Sequence, residues 1–404
     1  MAVATTPYTE KTDEQQAITE MVHQFAAEQI LPNAEHFDHE DEFPSGIVEQ
    51  MKELGLFGVT IPEEYGGMGL DLTTYAMIVE ELSRGWISIS GVINTHFIGA
   101  YLLMNFGSEE QKQKYLPRMA TGEIRAAFSL SEPELGSDVQ AIKTRAAKGE
   151  DGKYEINGQK MWVTNGLRSD LVFVLVKTDP DAEKAHKGMT CFIAEKVGGV
   201  HENTGDYAGL TVPEQLKKMG YKGVESTELV FDGYRCPAEN ILGGEDAGLN
   251  KGFPQMMDAL EVGRVNVAAR GVGIAQRALE LALKYSQERR TFGKPIAEHQ
   301  AIQFKLADMA TQVDAARLLT LRAARLKDAG ERSDLEAGMA KLFASEAGRF
   351  CVEESFRIHG GYGYSKEYEI ERLYRDAPLL LIGEGTSEIQ RLVISRAISG
   401  IHIN

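Results

Sequence analysis

The chain has 404 residues, 43% of them hydrophobic, and a formal net charge of −17 from 43 basic and 60 acidic side chains. That length accommodates roughly two to three globular domains with sizeable cores. The acid excess, broken only by short clusters such as Arg289-Arg290, argues against nucleic acid as a partner. Cys191, Cys236 and Cys351 are odd in number and fall in no CxxC or Cys/His spacing. They make neither a disulfide framework nor a metal site, and a reducing compartment is expected. The opening MAVATTPYTEKTDEQQ carries neither a signal nor a transit pattern, so the expected location is cytoplasmic, as in a bacterium.

In chain order, Thr12 with Gln15 forms a capping box, after which Ala17, Ile18, Met21, Val22 and Phe25 recur at helical spacing until Pro32. Helical patterns continue through VEQMKELGLFG, TTYAMIVEELSR and SEEQKQKYLPRM. Between them, the charge-free stretch from Gly85 to Gly107 is long enough to cross a bilayer. It contains Ser88, Ser90, Asn94, Thr95, His96 and Asn105, however, and reads as a helix buried inside a soluble protein. Residues 1–124 are therefore expected to be a helical domain.

From Arg125 the hydrophobic period changes to two, in AAFSLSE, KYEINGQKMWVTNG, LVFVLVKTD, MTCFIAEKV and STELVFDGYRCP. Asn157-Gly158 supplies a hairpin signal. These segments predict a small antiparallel β domain over residues 125–242. Helices return over 243–404, with Ile302, Leu306, Met309, Val313 and Ala316 in steps of three and four up to Gly330. A last helix follows Gly385, with Ile389, Leu392 and Val393 expected inward. The fold class is α+β multidomain, mostly α. Gly271-Val272-Gly273 lacks a preceding strand and reads as close helix packing rather than a dinucleotide loop. No Walker, HExxH or GxSxG sequence is present.

The chemistry-bearing stretch is LLIGEGTSEIQRL, Leu380 to Leu392, where Glu384 stands between two glycines at the end of an apolar run. Glycine on both sides lets the backbone turn freely, and Thr386 or Ser387 caps the next helix. By itself the pattern fits a surface carboxylate near a helix start as well as it fits a catalytic one.

Three blocks extend the reading: FSLSEPELGSD with MWVTNG, ERRTFGKPIAEHQAIQFKLADM, and HGGYGYSKEYEIERLYRDAPLLLIGEGTSEIQR. In this order, from about Thr12 to Ser399, the chain resembles the acyl-CoA dehydrogenase family. The resemblance implies a helical N-terminal domain, a β-barrel-like middle domain and a C-terminal four-helix bundle, with FAD bound between domains and subunits. It places Glu384 at the base that removes the α-proton of an acyl-CoA thioester while a hydride leaves Cβ for the flavin. Such a base needs a dry pocket that raises its basicity. The enolate oxygen would meet the backbone N–H of Glu384 and a ribityl hydroxyl.

By the same resemblance, Phe128, Leu130 and Ser131 face the flavin, Trp162 and Thr164 meet its ring edge, and Ser137 meets the cofactor or CoA. Arg289, Thr291 and Phe292 reach the FAD of a neighbouring subunit, while Arg357, Gly361, Thr386 and Glu388 fall at further FAD-contacting positions. Many relatives have Gln where this chain has Arg357. Read without the family, Trp162 is a core residue, Thr386 a helix cap, and Glu261 with Arg264 an i, i+3 ion pair. The resemblance instead puts Glu261 and Arg264 near CoA.

Isovaleryl-CoA and long-chain members take their base from the position occupied here by Gly263, which cannot serve. Gly383 stands where straight-chain members have Tyr, so Gly383 and Gly385 frame a pocket widened for a branched or bulky acyl group. Ile87 replaces the arginine of glutaryl-CoA dehydrogenases, which disfavours a terminal carboxylate. The expected electron acceptor is electron-transferring flavoprotein, and the expected assembly is a homo-oligomer, dimer or tetramer. An acyl-CoA oxidase or a non-dehydrogenating flavin-binding relative remains the alternative.

Overall fold

The computed structural model describes residues 10–401. Helix α1 (Asp13–Phe25) begins at the expected capping box, Gln15 N donating to Thr12 Oγ1 at 3.1 Å and Thr12 N to Gln15 Oε1 at 3.2 Å. Pro32 does not end the helical run, contrary to the sequence reading. A π-helical turn at Ala26–Ile30 leads into α2 (Leu31–Glu40), whose first turn holds Pro32. The first turn is where a proline costs least, because no intrahelical bond is asked of its nitrogen.

Four more helices follow: α3 (Ser45–Glu53), α4 (Leu72–Gly85), α5 (Ile87–Phe106) and α6 (Glu109–Ala120). Helix α5 is the charge-free stretch, and it is enclosed by protein, packing on α4 and α6 and on elements further along the chain. Its polar residues from Ser88 to His96 are consequently inside, while Asn105 near its end is exposed: Ser90 donates to the Ile87 carbonyl and Thr95 to that of Ala126.

The middle of the chain forms one curled sheet from β1 (Ala126–Ser129), β2 (Arg145–Lys148), β3 (Tyr154–Thr164), β4 (Leu171–Lys177), β5 (Met189–Glu195), β6 (Leu210–Thr211) and β7 (Ser226–Cys236). The strand order is β1-β4-β2-β3-β7-β6, with β5 also on β4. The sheet is mixed rather than purely antiparallel, since β1 runs parallel to β4 with Ala126 opposite Leu171. Asn157-Gly158 is not a hairpin turn. It lies inside β3 at a bulge, between the pairs Ile156–Tyr234 and Gly158–Phe231. A Cβ on Gly158 would stand 2.6 Å from Thr144 Cα, so the glycine serves the close approach of β2. A second irregularity between Lys160 and Val163 puts Trp162 at φ 63° and turns it outward.

Helices then resume with the short α7 (Glu245–Gly248) and the 37-residue α8 (Gly252–Glu288). A hairpin of β8 (Arg290–Thr291) and β9 (Lys294–Pro295) precedes α9 (Gln300–Asp328), α10 (Asp334–His359), α11 (Ile370–Ile382) and α12 (Ser387–Ser399). Gly271 and Gly273 do allow close packing: Cβ atoms there would stand 2.6 Å from the Ala344 carbonyl oxygen of α10 and 2.4 Å from that of Glu80 of α4. The expectation that Leu392 points inward fails. It is 37% exposed, and only Ser387 and Gln390 of α12 are buried, because only the first turns of this helix lie against α10.

Candidate active site

Helix α11 ends at Ile382, and the chain turns through Gly383 into Glu384 at φ 52° and Gly385 at φ 92°. A left-handed glutamate is strained and must be held by its surroundings. Gln390 Nε2 donates to the carbonyls of Glu384 at 3.3 Å and Gly385 at 3.2 Å, and the buried Lys341 of α10 donates to the Gly385 carbonyl at 2.7 Å. Thr386 caps α12 by accepting from Ile389 N.

The turn aims the Glu384 side chain into the gap between α5 and α8. Asn94 Nδ2 donates to Glu384 Oε1 at 2.7 Å, while Oε2 is buried and has no hydrogen-bond partner among the described residues. A Cβ on Gly263 of α8 would stand 2.2 Å from that oxygen. Burial raises the Glu384 carboxyl above its ordinary range, against the opposing pull of the Asn94 bond and the Arg270, Lys341 and Arg264 charges. Lys341 is itself pushed down to about 8 by burial.

Three aromatic side chains, Tyr75, Phe97 and Tyr221, complete this interior. Tyr75 stacks on Phe97 at 4.0 Å between ring centroids, and its hydroxyl accepts from Asn266 Nδ2 at 2.9 Å. Arg270 lies over the Tyr221 ring at 4.9 Å, and burial raises both phenols. A cavity of about 480 Å³ opens nearby between α4, α5, α8 and α9, with Leu72, Phe97, Met104 and Val262 as apolar walls and Tyr101 and Lys327 toward its polar side.

Glu261 and Arg264 do not form a direct ion pair. Glu261 accepts from Ser333 Oγ at 2.5 Å and lies 3.6 Å from Lys327, and Arg264 Nε is buried without a hydrogen-bond partner among the described residues. Ser137 is exposed, on the loop after β1.

The residues expected at the cofactor fall into two groups. On the sheet, Leu130 is buried, Phe128, Ser131 and Thr164 are half-buried, and Met161 N donates to the Ser131 carbonyl at 2.9 Å. Trp162, next in the chain, is 59% exposed rather than in the core. On the C-terminal helices, Arg289 caps α8 and lies 5.6 Å from the Tyr362 ring, beside Thr291, a 94% exposed Phe292 and an exposed Gly361. Arg357 pairs with Glu353 at 2.7 Å, and Glu388 is exposed. These residues fit FAD: an open indole beside Ser131 and Thr164 suits a flat heteroaromatic ring, and exposed guanidinium groups suit a diphosphate.

Sequence reasoning did not pick out Asn94, Lys341, Asn266, Arg270, Tyr221 or Gln390. For Asn94 the available signal was a polar side chain within the strongly apolar α5, which marks a polar group with a partner indoors; the others carry no comparable local signal.

Comparisons with known proteins agree with this architecture. Family models for the acyl-CoA dehydrogenase N-terminal, middle and C-terminal domains match residues 12–123, 127–234 and 250–399. The chain is 43% identical to an acyl-CoA dehydrogenase of Bacillus subtilis over 96% of its own length and 99% of that protein's. It is 41% identical to a 3-(aryl)acrylate reductase of Clostridium sporogenes, covering 95% and 98% of the two chains. The solved butyryl-CoA dehydrogenase of Megasphaera elsdenii superposes with a TM-score of 0.89 at 36% identity, over 96% of this chain and 99% of that one. The protein belongs to the acyl-CoA dehydrogenase family of FAD-binding oxidoreductases.

Proposed function

We propose that the protein dehydrogenates an acyl-CoA thioester between Cα and Cβ, with Glu384 as the base. The observation that carries this reading is Glu384 Oε2, a carboxylate oxygen buried between α5 and α8 with no hydrogen bond of its own among the described residues. An ion placed so is costly unless something arrives to use it. Oε2 takes the α-proton, and burial makes it a stronger base than a solvated glutamate. The backbone N–H of Glu384, fixed by the strained turn, donates to the thioester oxygen as enolate charge develops. Phe128, Leu130, Ser131, Trp162 and Thr164 hold the flavin ring; Arg289, Thr291, Phe292, Arg357, Gly361, Thr386 and Glu388 hold the rest of the cofactor. Bound FAD supplies the two-electron acceptor for the hydride leaving Cβ. Glu261, Arg264 and Ser137 bind the CoA portion.

Gly383 favours a branched or bulky acyl group. A Cβ there meets only Leu379, at 3.3 Å or more, so an aromatic side chain would be tolerated by the backbone and its absence leaves room. The buried Ile87 offers no charge to a terminal carboxylate. We assign electron-transferring flavoprotein as the acceptor and a homo-oligomer as the assembly. Exposed Leu392, Ile398 and Ile401 at the C-terminal helix, with Phe292 and Tyr364, support the latter.

The test is anaerobic bleaching of the flavin absorption band by straight, branched, aromatic and dicarboxylic acyl-CoAs. Bleaching strongest with branched or aromatic thioesters is expected. A flavin left oxidised by every thioester would overturn the reading in favour of a non-dehydrogenating relative.

A further inference from the structure

Asn94 lies in the middle of α5, far from Glu384 in the chain, yet its Nδ2 is 2.7 Å from Glu384 Oε1. Its own Oδ1 is buried and without a hydrogen-bond partner among the described residues, so the bond to Glu384 is what engages this polar side chain in an apolar helix. Only an amide nitrogen, not its oxygen, can face a carboxylate attractively, which fixes the amide orientation. The two carboxylate oxygens thereby become inequivalent: Oε1 is engaged, and Oε2, against Gly263, is free.

Resting on the reading of Glu384 as the base, we propose that Asn94 is a positioning residue that holds Glu384 ionised and selects Oε2 as the oxygen that receives the substrate proton. A charge-assisted bond stabilises the carboxylate over the carboxylic acid. It also locks the side-chain rotation that would otherwise let either oxygen, or neither, face the substrate. The other groups facing Glu384 are Arg264 and Arg270 of α8 and Lys341 of α10, which favour the ion, and the neutral phenols of Tyr75 of α4 and Tyr221 of the loop before β7. Unlike these groups, Asn94 is hydrogen-bonded to the carboxylate in the structure. After proton transfer the unpaired Asn94 Oδ1 supplies an acceptor within the same pocket, so one side chain can serve both protonation states.

The experiment compares wild type, Asn94→Leu and Asn94→Asp, each as FAD-loaded protein, in two measurements. One is the pH profile of flavin bleaching by acyl-CoA. The other is an infrared pH titration of the carboxyl band that Glu384→Gln abolishes, which needs no turnover. Asn94→Leu is expected to slow bleaching about tenfold at pH 7 and recover toward alkaline pH, with the acid limb and the infrared midpoint both moved up. Asn94→Asp, of nearly equal volume, moves both further through like charge, and it carries the test if the leucine variant does not fold. An unmoved midpoint and an unmoved acid limb in the folded variants would overturn the proposal. A moved midpoint in a protein whose flavin no thioester bleaches would leave standing only the hold of Asn94 on the Glu384 carboxylate, and would reject the dehydrogenase reading and the choice of proton-accepting oxygen with it.

Discussion

The side of the candidate site proposed to handle the proton and the side proposed to hold the cofactor are built in opposite ways. Around Glu384, separate helices of the chain converge: Asn94 from α5, Gly263 and Arg270 from α8, Lys341 from α10, all buried and closed over an oxygen unsatisfied among the described residues. Trp162, Phe292, Arg357 and Gly361 instead stand open to solvent. A chain pre-organises what must be dry and rigid before substrate arrives, and leaves exposed what a cofactor or a second subunit will cover.

The sharpest way to break that contrast is Glu384→Gln, which keeps the shape and the Asn94 contact but removes the base. Flavin bleaching by acyl-CoA should fall about 10³-fold or more while FAD content stays at the wild-type level. In wild type the acid limb of the same reaction should lie above the ordinary carboxylate range, because the base is active only when deprotonated and burial raises its pKa. Activity then falls as pH drops through that raised value, and a limb near pH 4 would contradict the buried site.

Next comes Gly263→Ala. Its methyl group would stand 2.2 Å from the present position of Glu384 Oε2, too close for both, displacing the carboxylate by about an ångström, and a loss of about 10- to 100-fold in bleaching rate is expected at unchanged FAD content. An alanine variant as active as wild type would mean that the carboxylate is not confined there.

On the open side, Trp162→Ala should leave the thermal stability of the apoprotein nearly unchanged, since the indole is largely exposed. It should weaken FAD binding about tenfold, measured by flavin release on dilution. Equal retention of FAD would remove Trp162 from the cofactor face. The smallest effect is expected from Arg357→Ala. Its i, i+4 pair with Glu353 is surface-exposed and worth at most about 0.5 kcal/mol, so only FAD affinity, read by the same dilution, is expected to respond.

Much of the fold was legible because its signals are local. The Thr12 capping box, the period-two segments, the Gly330 stop and the small-residue contact at Gly271 and Gly273 each depend on neighbouring residues or on the absence of a side chain. Pro32, Asn157-Gly158 and Leu392 were misread for the complementary reason. A π-turn upstream accommodated the proline, the approach of β2 put the Asn-Gly pair at a bulge, and the short seat of α12 on α10 left Leu392 outside. None of these three outcomes is encoded in adjacent sequence.

By itself the sequence determined the order of helices, sheet and helices, the family, and the singular position of a carboxylate between two glycines. Tertiary structure alone decided that this carboxylate is buried, which of its oxygens is free, and that Asn94, 290 positions earlier, is its partner. The reason is physical. Backbone freedom and hydrophobic period act over a few residues and can be read from them, whereas desolvation and hydrogen-bond partnership arise only when distant segments close around the same few ångströms of space.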